Sequence, residues 1–220
     1  AARFPVTVDA VYSHALQGMA VRADQRVIQK LLHDPRVAYI EEDGYVELSA
    51  TQNNATWGLD RVDQRDRPLN GTYIYTPTAS NVRAYIIDSG IRTGHTQFGS
   101  RLLSGYSAIN DGRGTNDCNG HGTHVAGTIG AERNGVGIVG IAPGAKMASV
   151  KVVNDDGFIY PEYAVCGFME AGLKGMDVTN NSYYVDPFEF WCGDQPEQAP
   201  ALEAVRRAVD WSTKQGTVHA

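Results

Sequence analysis

The sequence predicts an α/β protein, a doubly wound and mostly parallel sheet preceded by a small separate α/β unit. Two observations carry this expectation. From residue 82 onward, strand-like runs alternate with helix-like runs, which is the pattern of parallel βαβ units. Before that, residues 1–48 have a strand and helix pattern of their own, closed off by a polar and featureless stretch, residues 49–56.

In the first unit, Val6, Thr7, Val8, Val11 and Tyr12 read as strand, as do residues 14–21. Asp24 is placed to cap a short helix whose Val27, Ile28, Leu31 and Leu32 are spaced three and four apart. Asp34 and Pro35 stop it, residues 37–40 are expected to form another strand, and residues 41–44 a turn. A unit this small has a marginal core and wants a partner surface. In the second unit, residues 82–87 read as a strand ending on Asp88, 121–131 as a helix dense in small residues, and 148–153 as a buried strand. A helix over 161–173, a strand over 176–179 and a helix over 199–214 follow. The last helix carries Leu202, Val205 and Val209 as one apolar stripe, with Arg206, Arg207 and Asp210 facing out. Gly216 ends it, and Thr217 and Val218 begin a further strand. Open parallel sheets place their chemistry at the carboxyl ends of their strands.

Composition narrows the partners. The 220 residues are 42% hydrophobic and 20% charged, enough apolar material for a core. A net charge of −6 with no basic run argues against nucleic acid. No apolar stretch is long enough to cross a membrane, and no signal peptide is visible; a start at Ala1 is expected of a processed or cut chain. Cys118, Cys166 and Cys192 allow one disulfide and one free thiol.

Two segments carry chemistry. In Tyr85-Ile86-Ile87-Asp88-Ser89-Gly90-Ile91, an apolar strand delivers a carboxylate at its carboxyl end and turns at a glycine. Alone, Asp88 reads as a turn cap. In Asn119-Gly120-His121-Gly122-Thr123-His124-Val125-Ala126-Gly127-Thr128, glycines on both sides of His121 let other backbone approach the imidazole. The helix start disfavours a charged ring there, and a carboxylate partner would offset that and fix the tautomer. Without Asp88, an inert histidine at a helix start is about as frequent as a catalytic one.

Together the two segments resemble the aspartate and histidine motifs of the subtilisin-like serine proteases, the subtilase family, nearest its aqualysin and proteinase K branch. Trp57-Gly58-Leu59-Asp60-Arg61-Val62-Asp63-Gln64-Arg65 adds to the likeness, and the spacing of 33 residues (121 − 88) falls where the family has it. Residues 132–143 are similar to the metal-loop segment of other subtilisins, and the C-terminal third to actinobacterial members.

The resemblance implies the following. Residues 1–49 correspond to part of the family's inhibitory propeptide, a ferredoxin-like module, and 50–220 to the N-terminal part of the peptidase domain, with maturation near Ser49 and Ala50. Asp88 would orient the imidazole and stabilise its charged form, and His121 would act as general base and then acid. Gly157, Phe158, Ile159 and Tyr160 would form an edge strand pairing with an extended peptide substrate. Ser182 would begin the facing strand. The family has a small residue and glycine after that serine; Tyr183 and Tyr184 stand here.

The family's oxyanion asparagine follows an Ala-Ala-Gly run and its nucleophile sits in Gly-Thr-Ser-Met-Ala; neither motif occurs in these 220 residues. The reading is therefore a serine endopeptidase whose serine this chain lacks, inactive by itself. The alternative is a non-catalytic peptide- or protease-binding fragment. A calcium site would draw on Asn53, Gln97 and Asn134 side chains and the Val136 and Ile138 carbonyls, weakened because Gln97 stands where the family has aspartate. Cys118, His121 and His124 have zinc-like spacing, but the resemblance accounts for both histidines, His124 as a packed structural one, and no zinc is expected. Cys166 and Cys192 would pair, leaving Cys118 free near His121. Tyr160, Tyr163, Phe188, Phe190 and Trp191 make an aromatic-rich region, core or rim by default and a substrate-pocket wall second. Peptide or protein substrates, inhibition by the chain's own propeptide, a monomer and an extracellular location follow from the family alone.

Overall fold

The fold was obtained as a computed structural model, which describes residues 4–13, 17–41, 50–75, 79–187 and 194–220. The chain divides into two compact units, Ala1–Val46 and Glu47–Ala220. Expectations for Glu42, Asp43 and Gly44 in the turn, for Ser49, and for Phe188, Phe190, Trp191 and Cys192 lie outside the described residues.

The first unit holds strands β1 (Thr7–Tyr12) and β2 (Gly18–Arg22), an antiparallel hairpin, and helix α1 (Gln25–Leu32). The ladder shifts register between Val8 and Ala10. Asp9, at that irregularity, is held by Arg22 through bonds of 2.6 and 3.0 Å. Asp24 caps α1 as anticipated, its Oδ1 accepting from the Val27 N–H at 2.9 Å. Among the described residues of this unit, Val27 is the only hydrophobic side chain fully buried, so the core is as thin as the sequence suggests. The strand expected over 37–40 does not form. Four apolar residues make a strand only where a ladder partner arrives, and none does among the described residues.

The second unit opens with β3 (Ala50–Asn53), α2 (Trp57–Val62) and β4 (Thr72–Tyr75). Residues 50–53, read as linker, pair antiparallel with β4. Their polarity is no obstacle, because the ladder is made by backbone groups that every residue carries. The main sheet comprises β5 (Arg83–Asp88), β6 (Leu102–Ser107), β7 (Lys146–Lys151), β8 (Val178–Asn180) and β9 (Val218–His219). Its order is β6-β7-β5-β8-β9, and every pairing is parallel. Helices α3 (His121–Gly130), α4 (Pro161–Lys174) and α5 (Ala199–Lys214) complete the unit.

Both faces of the sheet are covered, as a doubly wound fold requires. Tyr85 and Ile87 of β5 pack with Ala148 and Val150 of β7 against Ala164, Phe168 and Ala171 of α4 and Ala208 of α5. The alternate residues Ala84, Ile86 and Met147 face Ala126 of α3, with Ile91 and Phe98. On α5, Val205 and Val209 do pack on the core, though Ala208 and Ser212 are the residues fully enclosed. Strand β6 escaped the sequence reading because Leu-Leu-Ser-Gly-Tyr-Ser lies at the sheet edge and is only partly buried, with weak strand signal.

Candidate active site

The site lies at the carboxyl end of β5, the central strand. Continuous burial of residues 84–88 drives the strand, and Asp88 at its end is 1% exposed. Helix α3 begins at His121, after Gly120 takes a left-handed φ of 105° that a side chain would resist. His121 Nδ1 lies 2.8 Å from Asp88 Oδ1 and 3.0 Å from Oδ2. Asp88 Oδ1 also accepts from the Ser89 N–H at 2.7 Å. The carboxylate is enclosed while the imidazole is 53% exposed. The acceptor on Nδ1 places the ring proton there and leaves Nε2 as the nitrogen that can take one up.

The two segments meet because nothing projects between them. A Cβ on Gly122 would stand 2.2 Å from the Gly90 carbonyl oxygen and 3.1 Å from the Asp88 side chain.

Around the pair is a set of polar residues the sequence reading passed over. Asp117 Oδ1 accepts from Ser89 Oγ (3.0 Å), Asn119 N–H (3.0 Å) and Gly120 N–H (2.9 Å). Its Oδ2 accepts from Thr123 N–H (2.9 Å) and Thr123 Oγ1 (2.5 Å). Burial works to raise this carboxyl, and the bonds from Gly120, Thr123 and Ser89 outweigh it and hold it below the usual range. Lys151, fully enclosed at the end of β7, donates to Asp111 at 2.5 Å and lies 3.4 Å from Asp155. Burial works to lower the ammonium, and the bond to Asp111 with the charges of Asp111 and Asp155 raises it overall. Neither residue carried a local signal: the N-cap position of α3 belongs to Gly120, three residues after Asp117, and a lysine ending an apolar strand marks nothing.

The expected substrate segments come together in a different form. Residues 157–160 are not an edge strand: Asn154 folds them into a turn, accepting on Oδ1 from Asp156 and Phe158 N–H. Ile159 is buried, and both its main-chain groups are taken by Asp186: its N–H donates to Asp186 Oδ2 at 2.8 Å, and its carbonyl accepts from Asp186 N–H at 2.8 Å. Ser182 begins no strand either, since β8 ends at Asn180. The Ile159–Asp186 pairing nevertheless lays the two segments side by side. Gly157 adopts a φ of 90°, and Phe158 and Tyr160 are exposed. Tyr183 donates to Asn181 Oδ1 at 3.0 Å, and its phenol is pushed up by burial first and then by the charge of Asp88.

Of the expected calcium ligands, Gln97, Asn134 and Val136 meet. Gln97, 7% exposed, donates its amide Nε2 to Val136 O at 2.8 Å and to Asn134 Oδ1 at 3.3 Å. Ile138 lines the same groove, while Asn53 sits on β3 opposite Thr72, with no hydrogen bond to this set among the described residues. In this orientation the amide nitrogen faces the oxygens a cation would share, while Gln97 Oε1 is enclosed without a partner; turned about, the same amide would offer that oxygen to a cation. His124 is exposed in that groove, not packed in the helix, since α3 turns its Ala126 side to the sheet. Among the described residues no three His, Cys, Asp or Glu converge as a metal-binding group. Cys118 is exposed, and neither it nor Cys166 is joined to another described cysteine.

Residues 80–219 match the Subtilase family, and residues 4–49 match Peptidase inhibitor I9. The chain is 49% identical over 150 residues to an extracellular serine proteinase of Thermus sp. (strain Rt41A), covering 68% of this chain and 35% of that protein. It is 35% identical over 179 residues to proteinase R of Parengyodontium album, covering 80% and 41%. A crystal structure of a cold adapted subtilisin-like serine proteinase superposes with a TM-score of 0.61 at 32% identity, covering 76% of this chain and 55% of that one. The chain thus spans between a third and a little over two fifths of the curated relatives it matches.

Proposed function

The chain belongs to the subtilase family, and on that premise we propose that it carries the aspartate and histidine of a serine endopeptidase. The observation that carries the reading is the 2.8 Å bond between an enclosed Asp88 carboxylate and Nδ1 of a half-exposed His121. A histidine so held can draw the proton from a serine hydroxyl through Nε2, then return it to the leaving amine. Asp88 keeps the tautomer and stabilises the transient imidazolium. The nucleophile and the oxyanion donor have no motif in these residues, so the hydrolysis is assigned to the full-length protein and these 220 residues alone would be inactive.

A peptide substrate would lie along residues 157–160 and 182–183, with exposed Phe158 and Tyr160 meeting its side chains. The N-terminal unit would serve as inhibitor of its own peptidase domain, which the Peptidase inhibitor I9 match supports. Secretion is proposed from the relatives' names; no described helix is long and apolar enough to cross a membrane. We read the loop that includes Asn134 and Val136 as held by the Gln97 amide in place of calcium.

The absent serine motif favours one second reading, a fragment that binds peptides without cutting them. Hydrolysis of a chromogenic peptide by the full-length protein decides between them. Asp88→Asn is expected to lower kcat by about 10⁴-fold, and His121→Ala at least as much. Full activity in His121→Ala would end the triad reading, and peptide binding without turnover in the full-length protein would establish the second one.

A further inference from the structure

We propose that Asp117 is a positioning residue for the Asp88–His121 pair, acting through Ser89 and the first turn of α3. The proposal rests on the protease reading for its consequence in turnover, but its geometry stands apart from it. The first N–H groups of a helix have no partner within the helix. Here each one is taken by a side chain from the neighbouring turns: His121 N–H by Asn119 Oδ1 at 3.2 Å, Gly122 N–H by Ser89 Oγ at 2.9 Å, and Thr123 N–H by Asp117 Oδ2 at 2.9 Å.

Ser89 is the link. It follows Asp88 directly, accepts from helix α3 through Gly122, and donates its own proton to Asp117. The strand end that holds the carboxylate and the helix start that holds the imidazole are therefore tied to one common anion. Asp117 also takes the Asn119 and Gly120 N–H groups, which shape the turn feeding His121 into the helix.

The anion is itself anchored. Lys151 lies 3.4 Å from the Asn116 carbonyl, and the Thr115 carbonyl accepts from Ser149 Oγ and Ile91 N–H. Thr123 Oγ1, while donating to Asp117, accepts from Arg92 N–H at 2.9 Å. Five donors converge on the two oxygens of one carboxylate. An asparagine of the same shape would aim an NH₂ at one set of them, so it cannot serve both. Reacting groups displaced by about 1 Å cost on the order of 10²-fold in rate, so an anchor that sets the imidazole's position acts on turnover more than on binding.

The test compares Asp117→Asn and Ser89→Ala with wild type in the full-length protein, by peptide kinetics and by NMR of the hydrogen-bonded His121 Nδ1 proton. Both variants are expected to lower kcat at least about tenfold with KM within about twofold. Their effects should be non-additive in the double variant, because they break one chain of bonds. The Nδ1 proton signal should broaden or shift in both. An unchanged Nδ1 signal, with any rate loss tracking melting temperature alone, would overturn the proposal. If Asp117→Asn does not fold, Ser89→Ala decides through the kcat/KM split and the Nδ1 signal. If the wild-type full-length protein hydrolyses no peptide, the protease reading fails while the Nδ1 signal still decides for or against Asp117.

Discussion

Gly122→Ala is the sharpest single test of how the Asp88–His121 pair is built. The added methyl would stand 2.2 Å from the Gly90 carbonyl oxygen, where Cβ atoms essentially never come under 3.0 Å. Helix and turn must therefore part by about 0.8 Å (3.0 less 2.2), close to the 1 Å that costs about 10²-fold in rate. Alanine gains about 1 kcal/mol over glycine within a helix, and overpacking costs about 1–3 kcal/mol. The net is a destabilisation of up to about 2 kcal/mol, with an activity loss larger than the stability loss explains. Gly127→Ala is the control: it lies on the same helix, but its Cβ would meet only Ile138 Cδ1 at 3.6 Å. It should raise stability by up to about 1 kcal/mol and leave kcat/KM unchanged. Thermal melting and peptide hydrolysis of the full-length variants measure both. Equal behaviour of the two variants, or Gly122→Ala activity within about threefold of wild type, would refute the close-approach argument.

Three further outcomes are expected. Lys151→Met removes the enclosed cation from Asp111 and Asp155, but those carboxylates are 23% and 39% exposed and Asp155 keeps Arg113, so the cost in denaturant melts should be about 1 kcal/mol; a loss of about 3 kcal/mol or more would mean the carboxylates stay shut away from water once unpaired. His219 has an enclosed Nε2 with no partner, and burial lowers its folded-state pKa below the ordinary 6.5. The unfolded chain then binds the proton more readily, so stability from this group is full above the unfolded value and declines as pH falls below it. His219→Gln should flatten that part of the stability–pH curve, and an unchanged slope would sink the assignment. Gln97→Asp should make the melting temperature fall in chelator and recover with calcium relative to wild type, because a carboxylate replaces the amide that now donates to Asn134 and Val136; identical calcium dependence in both proteins would show that Gln97 does not stand in for an ion.

Much of the fold was legible in the chain. The continuous apolar run before Asp88 gave the central strand, and small residues after His121 gave a helix that could approach it. The Asp24 cap and the α4 and α5 spans were local signals and emerged nearly as read. The errors have a common form. Residues 37–40 look like strand and are not, while polar residues 50–53 look like linker and are strand. In each case the deciding fact was whether another segment arrived to complete the ladder. The 157–160 segment was assigned the role of a free edge, yet Asp186, 27 residues on from Ile159, satisfies it.

The sequence by itself determined the class of fold, because apolar continuity, glycine placement and cap residues are properties of neighbours along the chain; the family and the candidate pair Asp88 and His121 came from the resemblance of two segments to subtilase motifs. Only the tertiary structure decided that Asp117 gathers the donors around that pair, that Lys151 is an enclosed cation, that Gln97 donates where a metal was expected, and that Asp186 closes the edge at Ile159. Those outcomes turn on which distant groups come within 3 Å of one another, often backbone N–H and carbonyl groups that every residue carries and no sequence pattern distinguishes.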